Sequence, residues 1–333
     1  MNAMKQMATD ARKPLRMPEG SGLGWLAAAF SIVVWSITYA STRVLLRDFS
    51  SLEIQIVRFT LAWAALALLG AASRRTSSPR GAGNEPLFAA MGFTGIAAYQ
   101  FLENCAIYYT NASNVAILVA FAPIMTAVVT RMFVKDKSMS ASFVAGSLVA
   151  VGGVAVVSLG AGAELELRPV GDLMAIGAMA SWGGFSMLVD VANRRGVPPA
   201  LAMRKAFVWS LLMMAPLVAW GATEAGARAV DGVFAVTFDY ARNAERFSRA
   251  ANWVNFGFLG VFASAASFAL WNYACRSLGV VRASVGLYLT PVIGVAFAVA
   301  FLGEALTASG VCGGALILAG VYVASRTRQK ERQ

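Results

Sequence analysis

The sequence predicts an all-α integral membrane protein of ten transmembrane helices, built as two inverted five-helix repeats. Three observations carry this expectation. The first is composition. Of 333 residues, 58% are hydrophobic and only 14% charged, against about 25% charged in a typical soluble domain, and mean hydropathy is +0.63. The second is that the apolar residues come in long runs. Each is near the roughly 20 residues that cross a bilayer core, unlike the short alternating strands of a membrane barrel. The third is an internal repeat. Displaced by 168 positions, Asn104 lands on Asn272, Ala106 on Ala274, Pro123 on Pro291 and Phe133 on Phe301. At the same offset Phe88 meets Phe256, Gly92 meets Gly260, Gly146 meets Gly314 and Gly152 meets Gly320.

Taken in order, residues 1–22 are polar and basic (Lys5, Arg12, Lys13, Arg16) with Pro14 and Pro18, and read as a disordered cytoplasmic tail. The first apolar run, Leu23 to about Leu46, is too long for a signal-peptide core and reads as a membrane anchor. Further spans are expected at Leu52–Ala72, Pro86–Ile107, Ala112–Phe133 and Ser140–Gly160, completing a first repeat over residues 23–160. The second repeat, residues 170–325, holds Val170–Val191, Pro199–Gly221, Trp253–Cys275, Arg282–Gly303 and Thr307–Ser325, followed by a short basic tail over 326–333.

The opening arms of the two copies align at a shorter offset. Trp35 meets Trp182 and Arg58 meets Lys205, both 147 positions apart. The second copy therefore carries an insertion, placed in the mixed-charge stretch 222–252. A flexible solvated loop is the default for such a composition, and a short helix on the membrane surface is the alternative.

Topology follows from the basic residues, which favour the cytoplasmic side of a membrane. Arg74, Arg75 and Arg80, then Arg131, Lys135 and Lys137, then Arg194 and Arg195, then Arg276 and Arg282 fall on the same side as both tails. The other side has Arg43, Arg47, Arg168 and the arginines of the 222–252 loop. Both termini are thus expected in the cytoplasm. Five spans per repeat is an odd number, so the second copy must enter from the opposite side. That is the plan of secondary transporters, with a substrate site near the midplane between the repeats.

Several classes are set aside. Gly-Lys never occurs, so there is no G-x-x-x-x-G-K-[S/T] phosphate loop. The chain has no histidine, which removes the commonest proton relay and metal ligand. Cys105, Cys275 and Cys312 lie in apolar runs and read as small apolar fillers. The net charge of +11 is spent on topology rather than on nucleic acid. No cofactor, metal or enzymatic activity is expected. The expected partners are a small-molecule substrate and the lipid bilayer.

Candidate transport residues fall into six groups. Pro123 and Pro291, at matching depths, delete one helical hydrogen bond each and kink their spans; they are either static bends or hinges, with Gly95 and Gly286 as further hinge candidates beside Gly92. The aromatics Trp35, Tyr39, Tyr99, Trp182, Trp271 and Tyr288 have spacings compatible with an inward face, where rings stack on planar side chains and attract cations. The amides Asn104 and Asn272, one per repeat, are candidates to face the central axis. Ser142-x-x-x-Gly146 and Gly310-x-x-x-Gly314 read as close-packing surfaces within a monomer. No acid stands at the centre of a span, which points to facilitated diffusion; Glu103, near the outer end of the third, is the first suspect should a proton be coupled. Arg58 and Lys205 are expected to snorkel to headgroups, with a gate or a partner for a substrate carboxylate as the alternative.

Trp35-Ser36, Arg58-Phe59, Ala112-Ser113 leading to Ala122-Pro123, Ser181-Trp182, Ala283-Ser284 leading to Thr290-Pro291, and Gly303-Glu304 occur in order along the chain. With two five-helix copies and short loops, they make the chain resemble the drug/metabolite transporter superfamily, in its EamA-domain branch, over about Leu23 to Ser325. Its aromatic lining is similar to that of bacterial exporters of aromatic amino acids, which also pass amphipathic cations. The resemblance implies alternating-access export of small amphipathic metabolites across the bacterial cytoplasmic membrane. A sugar-phosphate carrier of the same superfamily is the alternative. One departure is Lys135-Asp136, standing where the second half has Gly303-Glu304.

Overall fold

A computed structural model of the chain describes residues 21–72, 83–110, 112–134, 139–160, 168–302 and 306–325. Among these residues all regular structure is helical. The elements of the first half are α1 (Ser21–Leu45), α2 (Ser51–Ala72), α3 (Glu85–Gly92), α4 (Tyr99–Tyr109), α5 (Ala112–Val119), α6 (Ala122–Val134) and α7 (Ala141–Gly160). Those of the second are α8 (Pro169–Arg194), α9 (Pro199–Gly221), α10 (Glu224–Arg228), α11 (Tyr240–Ser248), α12 (Ala250–Gly257), α13 (Ser267–Leu278), α14 (Val280–Val285), α15 (Thr290–Leu302) and α16 (Ala308–Ser325). The expected tails and the Lys135-Asp136 and Gly303-Glu304 turns lie outside the described residues.

Nine helical stretches among the described residues are long and apolar enough to cross a membrane. The expected third span is also one continuous helical rod, α3 and α4 joined through a π-helical stretch at Phe93–Ala98. Its second half carries Gln100, Glu103 and Asn104, which makes it less apolar than the rest. The corresponding rod of the second half joins α12 to α13 through the π-helix Phe258–Ala266. Wide turns of this kind are rare and concentrate at functional sites.

Local chemistry sets the ends. Pro169 and Pro199 open α8 and α9, where a missing N–H costs nothing. Gly196 (φ +71°) and Gly279 (φ +86°) follow helix ends in a left-handed conformation that a side chain would strain. Ser140 caps α7 by accepting from Phe143 N at 3.1 Å, and Thr307 caps α16 by accepting from Gly310 N at 3.1 Å.

The tightest contact is between α7 and α16, and it corrects the repeat register. A Cβ placed on Gly153 would lie 2.7 Å from the Gly313 carbonyl oxygen, and one on Gly313 would lie 2.6 Å from that of Gly153. Gly146 and Gly320 obstruct each other in the same way, each 2.6 Å from the other's carbonyl. Residue numbers thus rise along one helix as they fall along the other, so the pair is antiparallel. The equivalent glycines are 146 with 313 and 153 with 320, one residue short of the 168 offset that matched Gly146 to Gly314. The caps Ser140 and Thr307 share the shorter offset. The physical cause is a one-residue difference in the connections before α7 and α16; Gly152 and Gly314 have open space beside them. Small residues here let two backbones approach closely, which accounts for them within one chain.

Packing across the halves is reciprocal. α1 packs on α13 and α8 on α4; α2 packs on the second π-helix and α9 on α3 and the first; α6 packs on α8 and α15 on α1.

The 222–252 stretch is not a free loop, which corrects the default expectation. Arg246 of α11 is buried and forks onto Glu53 at the start of α2, with N–O distances of 2.7 and 2.8 Å. Thr237 N and Ser50 N each donate to the same carboxylate at 3.0 Å. Phe234 is buried, with its ring stacked on Phe101 at 5.1 Å. Most of its charges do face solvent, as Glu224 and Arg228 do, and Arg246 is the one that turns inward to hold the segment in place.

Candidate functional site

The core of the molecule is an aromatic box. Trp35 of α1 lies 5.9 Å, ring centre to ring centre, from Trp182 of α8 in an edge-on contact, and 5.3 Å from both Trp271 and Phe268 of α13. Trp182 continues the cluster to Tyr99 at 5.4 Å and Phe185 at 5.3 Å. The Trp35 indole N–H donates to the Ala263 carbonyl at 2.9 Å.

Other buried polar atoms in this core have no hydrogen-bond partner among the described residues. The indole nitrogens of Trp182 and Trp271 and both amide atoms of Asn272 are buried without a hydrogen bond. The Tyr288 hydroxyl points toward Ser147 without reaching standard hydrogen-bond geometry. Each such group costs about 1–3 kcal/mol if left unmet. Trp182 and Trp271 are box rings, so their two unmet indole N–H groups belong to its walls and offer donors to a ligand or water.

The expected site residues are therefore partly assembled. Trp35, Tyr99, Trp182 and Trp271 meet in the box, with Asn272 adjoining Trp271. Tyr288 is almost fully buried, at 1% exposure, on the 3₁₀ turn Gly286–Leu289. Asn104 is only half-buried, so the two amides paired by the repeat do not share an environment. The Tyr39 side chain lies outside the described set. Phe185 and Phe268 join the box although the sequence reading passed over them. The signal was present: Trp182 and Phe185, like Phe268 and Trp271, are three apart and so share a helix face.

Both prolines sit at helix breaks rather than inside bent helices. α5 stops at Val119, and Phe121 N closes a tight turn onto the Leu118 carbonyl at 3.0 Å. Pro123 is then the second residue of α6. In the other half α14 stops at Val285, the 3₁₀ turn follows, and Pro291 is the second residue of α15. Here the missing N–H has no interior bond to lose, so the break replaces the expected kink. Gly286 belongs to that turn, where a Cβ would meet Ile32 at 2.8 Å; a Cβ on Gly95 would drive into the Phe185 ring.

A polar cluster borders the box. Arg58 does not snorkel, contrary to expectation: its Nε donates to Ser264 Oγ at 2.6 Å and its guanidinium lies 5.5 Å from the Phe59 ring centre. Ser264 belongs to the second π-helix and is fully buried, so it offers Arg58 a hydroxyl inside the bundle. Tyr99 donates its hydroxyl to Glu103 at 2.8 Å. Lys205 pairs with Glu85, which also accepts from the Trp209 indole at 2.8 Å. The three cysteines are free, Cys105 and Cys275 buried and Cys312 exposed.

Comparison with known proteins agrees with this architecture. The model of the EamA-like transporter family matches twice, over residues 22–159 and 169–326. The matches begin 147 residues apart and end 167 apart, the offsets given by Trp35/Trp182 and by the glycine contact. A probable terminal-alkyne amino-acid exporter of Streptantibioticus cattleyicolor is 27% identical over 300 residues, spanning 90% of this chain and 92% of the relative. An uncharacterized transporter of Archaeoglobus fulgidus is 22% identical over 307 residues, spanning 91% and 99%. A crystal structure described only as that of a protein shares the fold with a TM-score of 0.71 at 18% identity, covering 93% of this chain and 99% of its own. Two matches that together take in nearly the whole chain settle the class: it is a membrane transporter, not an enzyme, and belongs to the EamA-like transporter family.

Proposed function

We propose that the chain exports small amphipathic amino acids, aromatic or apolar, by alternating access, and that it passes aromatic cations by the same route. The observation that carries this reading is the aromatic box with two unpaired indole N–H groups, of Trp182 and Trp271, at its walls. Rings supply stacking surface for a planar side chain, and the unmet donors supply orientation. The probable terminal-alkyne amino-acid exporter among the relatives supports amino acids as the substrate class.

The transporter consists of ten spans in two inverted repeats, residues 23–160 and 170–325. The antiparallel glycine contact, the reciprocal packing of the halves and the double family match support this arrangement. Two residues related by a two-fold axis touch only on that axis, so Trp35 against Trp182 puts the box at the interface of the repeats, where such transporters bind substrate. The helix breaks before Pro123 and Pro291 are the hinges. The basic residues favour both termini in the cytoplasm of a bacterial inner membrane, which puts the 222–252 segment outside. Transport is uncoupled, with no acid at the midplane.

The test is uptake of labelled Phe, Trp, Thr and an aromatic dication into proteoliposomes, with and without a proton gradient. Equilibration of the aromatic compounds regardless of gradient, reduced at least tenfold in Trp182→Ala, is the expected result. Accumulation only under a gradient would replace the uncoupled mechanism with one moving a proton at Glu103, a half-buried acid already held by Tyr99. Absence of flux for all amino acids would remove the substrate class.

A further inference from the structure

Arg58 and Glu103 form an arrangement that the aromatic box leaves unused. Both stand about one-third of the way into the bundle from the same end. Arg58 is seven residues after the start of α2 and Glu103 six before the end of α4, about 10 and 9 Å at about 1.5 Å per residue. Their helices are tied together by Gln55, whose amide nitrogen donates to the Gln100 side-chain oxygen. Arg58 and Glu103 are each three residues further along from that bridge. The charges are within electrostatic reach of one another, yet no ion pair at contact distance joins them among the described residues. Each is held by a neutral hydroxyl instead, Arg58 by Ser264 and Glu103 by Tyr99.

Those hydroxyls connect the charges to the box. Tyr99 rings against Trp182, Trp182 against Trp35, and Trp35 donates to the carbonyl of Ala263, the neighbour of Ser264. The circuit closes on Arg58. Opposite charges inside a membrane protein are costly when unpaired, and direct contact would lower that cost most simply. Holding them near one another yet on separate hydroxyls, Ser264 and Tyr99, makes sense when a third party carries both complementary charges.

Resting on the amino-acid reading above, we propose that Arg58 and Glu103 are the headgroup site of the transporter: Arg58 takes the α-carboxylate and Glu103 the α-ammonium of a zwitterionic amino acid. The substrate's side chain enters the box formed by Trp35, Tyr99, Trp182 and Trp271. The guanidinium fork matches a carboxylate in a bidentate manner that an ammonium does not, and the ring of Tyr99 serves both parts of the site. Selectivity for zwitterions over simple amines or acids comes from this pair, and selectivity for side chain from the box.

The experiment compares tryptophan, tryptamine and indole-3-propionate as substrates for the full-length chain in proteoliposomes. Tryptamine lacks the carboxylate and indole-3-propionate lacks the ammonium. The wild type is expected to prefer tryptophan over both by about tenfold or more, the scale of a lost charge-assisted contact. Arg58→Gln should erase the preference over tryptamine and keep that over indole-3-propionate; Glu103→Gln should do the reverse. Arg58→Lys keeps the charge without the fork and should restore part of the carboxylate preference, which separates recognition from loss of fold. Variants that carry tryptophan with unchanged preference ratios would overturn the headgroup site while leaving amino-acid export intact. Glu103→Gln that loses only gradient-driven accumulation, with exchange and preferences preserved, would overturn it too, by making Glu103 a proton carrier. A wild type that moves none of the three brings down the amino-acid reading itself.

Discussion

The two ends of the molecule are each held by an ion pair that joins its two halves, but the pairs differ in kind. Where α1 turns into α2, Arg246 and Glu53 have side chains only 7% and 10% exposed. The carboxylate receives both arms of the guanidinium and two backbone N–H groups, while Arg246 also donates to the Asp48 carbonyl at 3.2 Å and covers the Phe49 ring at 4.5 Å. At the other end Lys205 and Glu85 are 39% and 43% exposed, one ammonium against one carboxylate with a single indole in support. A buried pair is stable only when its lone pairs and protons are met, and in the first pair the carboxylate accepts four hydrogen bonds while Arg246 donates four. The second sits in screened surroundings and is easily exchanged for water. The difference teaches that one end is locked and the other latched, so a movement that opens the bundle starts most cheaply at the latched end. In the proposed topology that end faces the cytoplasm, where an exporter loads its substrate.

The strongest way to break the comparison is Arg246→Ala. It strands Glu53 in a buried setting, at a cost of about 3–5 kcal/mol. We expect a clear fall in the thermal unfolding midpoint of the purified protein in detergent. Glu53→Gln combined with Arg246→Gln, which removes both charges together, should recover most of the loss. A midpoint for Arg246→Ala close to wild type would mean that the lock is no stronger than a surface pair.

This end also marks the limit of what the sequence discloses. Spans, their order and the Trp35/Trp182 correspondence were legible because hydrophobic length and repetition are properties of the chain itself. The broken helices were half legible: the prolines pointed to the right places, but whether a helix bends or ends depends on the turn the surroundings allow. The lock was not legible. Arg246 and Glu53 are 193 residues apart, and among the exposed charges Glu224, Arg228, Asp231, Arg242 and Glu245 nothing in the sequence marks Arg246 as the one that turns inward. Arg58 misled for the same reason, since snorkelling is the general rule for a long cation and only the position of Ser264 overrides it. The one-residue slip between α7 and α16 shows a further limit, because an apolar alphabet rich in glycine and alanine matches itself almost as well in the wrong register.

Lys205→Ala is the intermediate perturbation. A half-exposed pair contributes about 0–1 kcal/mol, so the unfolding midpoint should move by a small fraction of the Arg246→Ala shift. A loss equal to that of Arg246→Ala would show both ends to be locked and erase the asymmetry.

The smallest effect gives the sharpest reading. Charges in contact with solvent are screened over about 3 Å at 1 M ionic strength, against about 10 Å at 0.1 M. The Lys205–Glu85 attraction should therefore fade as salt is raised, and the stability gap between wild type and Lys205→Ala should shrink toward zero. Arg246 and Glu53 lie out of reach of the ions, so the gap between wild type and Arg246→Ala should persist over the same range. Measured together as two differences against one salt axis, they cancel the general effect of salt on the detergent and on hydrophobic packing. Parallel slopes would place both pairs in the same dielectric surroundings and leave the molecule without a preferred end to open.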